Sequence, residues 1–331
     1  MTSGGDSPGM NACVRAIARR GEALGLEVMG FKRGWEGVID NLSTTLSEHV
    51  NSIKEGGTML KTARCERFYK RRYRKKAADN LKAHGVDALL AVGGNGTFRG
   101  LDRLLQETDL KGLGIPATID NDIHGTESIG FDTAVNTAIE AIDRIRDTAG
   151  SDERLFLVEV MGRHSGQIAL HVGVAGGADE ILLPEIEIDI PALASRLHVV
   201  EEEKACSWVV VVSEGNPFGN AEAVAQALRE HFEPPSLRVC TLGHIQRGGQ
   251  PTARDRVLAT KLGGASVDAL LRGETGKMVG QWKGSLHLPP LAFAYENANP
   301  LDPVLLELLP SLDARRLCGP SSAPRAVSSV S

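Results

Sequence analysis

The chain has 331 residues, 42% hydrophobic, 24% charged and only 4% aromatic, with a formal net charge of −5. That length supports a substantial core and excludes a disulfide-stapled miniature, and the acidic balance argues against nucleic acid as the main partner, because binding a phosphate backbone calls for a basic surface. Five widely separated cysteines (Cys13, Cys65, Cys206, Cys240, Cys318) form no CxxC pair, which points away from zinc and towards reduced thiols. No secretory signal opens the chain and no apolar run nears the ~20 residues of a spanning helix, so a soluble cytoplasmic protein without membrane association is expected.

In chain order, Thr2-Ser-Gly-Gly-Asp-Ser-Pro-Gly-Met-Asn11 precedes an amphipathic helical pattern from Ala12 to Leu24. Glycine amides at a helix start can hold phosphate, although a capped glycine turn explains the same residues equally well. The run Ala88 to Val92 reads as a buried strand, followed by the loop Gly93-Gly-Asn-Gly-Thr97 and a helical stretch from Phe98 to Leu105. Strand, glycine loop and helix together are what a phosphate cradle needs, with Thr97 offering a hydroxyl.

Next comes Pro116-Ala-Thr-Ile-Asp-Asn-Asp122, read as an extended loop whose carboxylates Asp120 and Asp122 project the same way. One carboxylate could then act as base while the other supports a metal or orients its neighbour. Taken alone, an Asx-rich turn explains the segment better. A helical pattern from Ala134 to Arg146 follows, then strands at Leu155–Val160, Ile181–Leu183 and Trp208–Val212.

The repeated order of strand, loop and helix implies an α/β fold of mainly parallel sheets flanked by helices, with ligands at the carboxyl ends of strands. Residues 1–129 are expected to form one lobe, 130–250 a second, and about 251–309 to return to the first. The serine-rich tail, 310–331, reads as weakly structured.

Arginines complete the pattern: Arg64, Arg154, Arg163, Arg238, and Arg247 in Gly243-His-Ile-Gln-Arg-Gly-Gly249. A guanidinium fork binds phosphate bidentately, yet any single one of these is more often a surface ion-pair residue.

Taken jointly and in this order, Gly93-Gly-x-Gly-Thr, Thr118-Ile-Asp-Asn-Asp122, Glu159-Val-Met-Gly-Arg163 and Gly243-His-Ile-Gln-Arg-Gly-Gly249 closely resemble the ATP-dependent 6-phosphofructokinase family, from Thr2 to about Leu270. The resemblance implies a two-lobed α/β subunit, usually a homotetramer, that phosphorylates the 1-hydroxyl of fructose 6-phosphate with ATP and Mg²⁺. Carried over by position, Asp120 is the base, Asp122 supports it near Mg²⁺, and Arg64 contacts the transferring phosphate. Thr118, Met161, Gly162, Arg163, Glu214, His244 and Arg247 match sugar-phosphate contacts, with Arg154 and Arg238 reaching a neighbouring subunit's site. Gly5, Trp35, Arg64, Gly94, Asn95, Gly96, Thr97 and Gly100 fall on the nucleotide side.

Departures from the family pattern accompany this match. Asn95 stands where the family usually has a metal-binding aspartate, so it joins Asp122 in the metal set only as a neutral ligand. Trp35 replaces a tyrosine, and Cys65 and Tyr69 replace residues that commonly meet the adenine. Gly96 and Ala117 stand where pyrophosphate-dependent members carry aspartate and lysine, which favours ATP. The family's leading strand is expected to be missing, because the chain opens on the loop itself. Competing readings are a pyrophosphate-dependent member, an NAD kinase-like enzyme and a regulatory or weakly active subunit.

Overall fold

The computed structural model describes residues 1–46, 53–152, 155–202, 208–231 and 237–312. Strand β1 (Thr2–Ser3) leads through a glycine turn to α1 (Met10–Ala23); β2 (Met29–Phe31) and β3 (Ser43–Thr45) pair as an antiparallel ribbon around α2 (Gly34–Ile39). A 3₁₀ turn at Glu66–Tyr69 enters α3 (Arg71–Ala83), after which β4 (Ala88–Gly93), α4 (Asn95–Gln106) and β5 (Lys111–Pro116) follow in alternation. The long α5 (Phe131–Asp152) is succeeded by β6 (Leu155–Val160), α6 (Gln167–Ala175), β7 (Glu180–Leu182), α7 (Ile190–Glu202), β8 (Trp208–Ser213), α8 (Ala221–Arg229) and β9 (Leu237–Thr241). A second 3₁₀ turn at Gly243–Arg247 precedes α9 (Ala253–Leu271), β10 (Lys277–Met278), the hairpin β11 (Gly280–Trp282) and β12 (Ser285–His287), and finally α10 (Leu291–Glu296) and α11 (Pro303–Leu312).

Two four-stranded sheets carry these elements, in the orders β1-β4-β5-β10 and β7-β8-β6-β9, with all their pairs parallel. Strand β8 shows why its sequence reads as a continuous apolar run. Val209 and Val211 enter the core under α5 and α6, while Val210 and Val212 enter the core under α7 and α8. A parallel strand covered on both faces has no polar side to display. Each fully buried valine contributes about 1.5–3 kcal/mol of apolar burial.

In the first sheet, α1 and α9 cross in close contact on one face. A side chain at Gly263 would stand 2.7 Å from the Cys13 carbonyl oxygen, so the crossing requires glycine there. On the opposite face Phe98, Leu101 and Leu104 of α4 pack with Leu89, Ala91 and Leu291.

The expectation that the leading strand is missing needs correction. Thr2 and Ser3 pair in parallel with Val92 and Gly93 at the edge of the sheet, and the Met1 amino group donates to the Leu90 carbonyl at 2.9 Å. Gly4, at φ 89°, turns the chain immediately afterwards and ends the strand. At its other edge the same sheet is completed by β10, 161 residues beyond β5 in sequence (277 − 116). Pro310, Ser311 and Leu312, expected in the tail, lie within α11, and the rest of that tail, 313–331, falls outside the described residues.

Candidate active site

The carboxyl ends of β1, β4 and β5 open into one cavity of about 920 Å³. Its lining includes Gly5, Trp35, Arg64, Gly94, Asn95, Gly96, Thr97, Gly100, Thr118, Asp120, Asp122, Arg163 and Arg247, which brings together most of the residues singled out in the sequence.

The glycine loop is shorter than expected. Gly94 is extended and helix α4 already begins at Asn95, so Asn95, Gly96 and Thr97 form its first turn. This turn leaves backbone N–H groups without intrahelical acceptors beside the cavity, a natural seat for phosphate. The Thr97 hydroxyl donates to the Ser3 carbonyl at 3.1 Å and ties β1 to α4, while Thr97 also lines the cavity.

The Thr118–Asp122 segment is not extended. Its middle is a turn in which Asn121 takes a left-handed φ of 48°, a conformation asparagine tolerates well. Thr118 Oγ1 accepts from the Asp120 amide at 3.2 Å, and Asn121 Oδ1 accepts from the Ser128 amide at 3.0 Å, closing the loop on itself. Asp120 and Asp122 still face the same cavity, by way of this turn rather than by strand alternation.

Asp120 is 2% exposed, with Arg163 Nε at 3.5 Å from its Oδ2 and no partner for its Oδ1 among the described residues. Burial, reinforced by the Asp122 charge, pushes its carboxyl up to about 6 against the opposing pull of Arg163 and Arg247. Burial likewise raises Asp122, which accepts a hydrogen bond from Asn95 Nδ2 at 2.9 Å. Asn95 Oδ1 is buried without a partner among the described residues. Orphaned hard oxygens on Asn95 and Asp120, next to the carboxylate of Asp122, suit Mg²⁺, which takes one or two carboxylates together with substrate phosphates.

Arg163 sits at a left-handed φ of 53° and is aimed by two supports. Glu214 Oε1 accepts from the amides of Gly162 and Arg163 at 3.2 and 2.9 Å, and the fully buried Gln246 accepts from the Met161 amide at 3.3 Å. Met161, Gly162 and Glu214 therefore shape the loop without lining the cavity. Arg247 crosses from the second 3₁₀ turn to the first glycine loop, where its Nη1 donates to the Asp6 carbonyl at 3.4 Å. A side chain at Gly5 would lie 2.6 Å from that nitrogen, so Gly5 makes room for an arginine.

Some expected residues are not gathered. His244 is exposed in the 3₁₀ turn and does not line the cavity, and Arg238 is exposed on edge strand β9. Arg154 lies outside the described residues.

The sequence reading missed Arg99, Arg103 and Tyr295, which line the far wall of the cavity beside Tyr69. Asn95, Arg99 and Arg103 recur at four-residue spacing on α4, a signal that helical periodicity could have supplied. Tyr295 could not be found that way. Arg99 donates to its carbonyl at 3.0 Å across 196 residues of chain. Trp35 is stacked on Phe68 with ring centroids 4.1 Å apart, forming a rigid aromatic wall at the same end.

Fold and site together define a two-sheet α/β protein with a helix N-terminus, arginines and two carboxylates, Asp120 buried and Asp122 half-buried, around one cavity, the equipment of a phosphoryl-transfer enzyme. The phosphofructokinase family model matches residues 1–270, and the chain belongs to that family. It is 50% identical over 310 residues to ATP-dependent 6-phosphofructokinase 1 of Thermus thermophilus, covering 93% of this chain and 96% of the relative. An ATP-dependent 6-phosphofructokinase of Coxiella burnetii is 47% identical over 88% of this chain and 90% of its own. Among solved structures, Pichia pastoris phosphofructokinase in the T-state matches with a TM-score of 0.83 at 32% identity, over 96% of this chain and 36% of that longer one. The pyrophosphate-dependent phosphofructokinase of Marinobacter aquaeolei matches with a TM-score of 0.80 at 23% identity, over 98% of this chain and 92% of its own, a likeness of fold alone.

Proposed function

We propose that this protein transfers the terminal phosphoryl group of ATP to the 1-hydroxyl of fructose 6-phosphate, giving fructose 1,6-bisphosphate, the glycolytic reaction. The observation that carries this reading is Asp120: a buried carboxylate with a free oxygen, paired to Arg163, in a cavity shared with the N-terminus of α4. The curated relatives named as ATP-dependent support ATP as the donor.

In this reading Asp120 takes the proton of the attacking hydroxyl. Arg163 and Arg64, the latter exposed and unpaired among the described residues, neutralise charge on the moving phosphoryl group. The first turn of α4 seats the donor's phosphates, and Arg247 tethers the acceptor from the opposite side. Mg²⁺, held by Asp122, Asn95 and the donor's phosphates, supplies further neutralisation there. Thr118 orders the turn that carries Asp120, so catalysis rests largely on alignment.

The exposed position of Arg238 on an edge strand, away from its own cavity, supports a homotetramer in which this residue and Arg154 serve a neighbour's sugar phosphate. We place the first lobe at 1–129 with the return of about 251–309, and the second at 130–250. The contribution of β10 to the first sheet supports that division. No helix among the described residues is long and apolar enough to cross a membrane, and we assign the enzyme to the cytoplasm.

A coupled assay offering fructose 6-phosphate and Mg²⁺ with ATP or with pyrophosphate tests the proposal. ATP-dependent formation of the bisphosphate is expected. A higher kcat/KM with pyrophosphate would overturn the donor, and no turnover with either would overturn the activity.

A further inference from the structure

Asp255 is a buried carboxylate, 1% exposed, that the proposed chemistry leaves unused. It lies in the first turn of α9, yet its side chain serves another helix. Oδ1 accepts from the Gly130 amide at 2.8 Å, and Oδ2 accepts from the Thr133 amide at 2.8 Å and the Thr133 hydroxyl at 2.5 Å, so the carboxylate caps the N-terminus of α5.

The favour is returned. Thr252 Oγ1 accepts from the Asp255 amide at 3.3 Å and donates to Asp132 Oδ2 at 2.6 Å, while the Thr252 amide donates to Thr133 Oγ1 at 3.0 Å. Two helix N-termini more than 100 residues apart are thus joined by reciprocal caps.

Each chain segment meeting at this clasp leads to a different part of the cavity. Gly9, at φ 102°, ends the first glycine loop against it: a side chain there would come within 2.7 Å of Ile129 Cγ2 and 3.6 Å of Asp255 Cβ. Ile129 closes the loop that carries Asp120 and Asp122, bonding its amide to the Pro116 carbonyl at 3.1 Å beside the Ala117 bridge. Thr252 ends the segment that begins with the Gly243–Arg247 turn, and Arg256 of α9 donates to the Pro251 carbonyl at 2.7 Å.

We infer that Asp255 is a positioning residue for phosphoryl transfer, its carboxylate fixing the first glycine loop, the Thr118–Asp122 turn and the Gly243–Arg247 turn relative to one another. Near-attack geometry makes this matter, since a displacement of ~1 Å at the reacting groups can cost on the order of 100-fold in rate. A carboxylate suits the site because it meets two backbone N–H donors, Gly130 and Thr133, one on each oxygen, and a hydroxyl whose own oxygen is already accepting from the Thr252 amide. An amide would accept at its oxygen and turn its own N–H₂ towards one of them.

The inference rests on the activity proposed above, and two variants separate it from plain stability. Asp255→Asn should lower kcat by ~10- to 100-fold with the KM for each substrate within ~3-fold, the pattern of a defect felt in the transition state. Leu262→Ala, at a fully buried position two helical turns beyond Asp255 in α9 that bonds to none of the clasp groups, should lower the melting temperature with kcat within ~3-fold. Amide hydrogen exchange, which needs no turnover, should rise at Gly130 and Thr133 and through the Asp120–Ile129 loop in Asp255→Asn and not in Leu262→Ala. If Asp255→Asn fails to fold, Thr252→Val removes the returning cap and should show the same split more mildly. Unchanged kcat and exchange in Asp255→Asn, or equal kcat losses in Leu262→Ala at matched melting temperature, would overturn the inference. An unmodified protein that turns over neither donor would defeat the proposed function alone, leaving the clasp to be judged by exchange.

Discussion

Asn95 gives its amide N–H to Asp122 at 2.9 Å, and this bond leaves its carbonyl oxygen a buried acceptor with no donor among the described residues. The neutral side chain therefore stabilises the charge on Asp122, which an aspartate could not do, and in the proposed reaction it would offer its oxygen to Mg²⁺.

Replacing it tests that division. Asn95→Asp removes the donor and sets two carboxylates in contact, so without Mg²⁺ the variant should melt lower than the unmodified protein. With Mg²⁺ the added charge should lower the concentration needed for half-maximal rate, and the melting temperature should rise more steeply with Mg²⁺. Thermal melts across a Mg²⁺ series check both arms. A variant with an unchanged or higher Mg²⁺ requirement would remove Asn95 from the metal set.

Asp120 predicts a pH profile. With its carboxyl raised to about 6, the base is lost as pH falls through that value, so log kcat/KM should drop by about one per pH unit below it. A plateau continuing below pH 5 would exclude this residue as the base. Stability runs the opposite way, because a raised carboxyl favours the folded state where it is protonated: its contribution is complete below the unfolded value of 3.8 and is lost as pH rises through about 6. Asp120→Asn escapes that loss. It should be more stable than the unmodified protein at pH 8, by up to about 3 kcal/mol in unfolding free energy, converge with it near pH 4, and turn over about 10²- to 10⁴-fold more slowly with the KM for fructose 6-phosphate little changed.

Gly96 predicts donor discrimination. A Cβ built there meets nothing within 4 Å, and an acidic residue in the first turn of a helix is electrostatically favourable, so Gly96→Asp should fold at least as well as the unmodified protein. Its carboxylate would nevertheless stand where the donor's phosphates are seated. kcat/KM for ATP should fall by 10-fold or more, far beyond a surface substitution, while the KM for fructose 6-phosphate holds. Equal ATP kinetics in the two proteins would place the nucleotide elsewhere.

Arg238 predicts an oligomeric site. Arg238→Ala should raise the KM for fructose 6-phosphate by ~10-fold or more with a smaller change in kcat, since anchoring a remote phosphate is mainly uniform binding. Co-refolding Arg238→Ala with Asp120→Asn should restore part of the activity, because some mixed interfaces pair an intact base with an intact anchor. Activity no greater than the sum of the separate variants would confine each site to one subunit.

The local chemistry of this protein was legible in its sequence. Four consecutive valines after Trp208 announced a strand buried on both faces, and Gly93–Gly94 announced the junction of strand and helix that lines the cavity, because both signals arise from neighbours within a few residues. The pair Asp120 and Asp122 was found, although by a wrong geometry: the left-handed Asn121, not an extended strand, brings them to one cavity. What only the tertiary structure decided are relationships across long stretches of chain. Arg247 leans on Gly5, Tyr295 meets Arg99, the Thr97 hydroxyl bonds to Ser3, and Asp255 caps a helix that begins 124 residues earlier (255 − 131). Periodicity reports which face of an element is apolar. It carries no record of which distant backbone will present its unpaired donors, and at this site those encounters determine whether an arginine or a carboxylate serves the reaction or the fold.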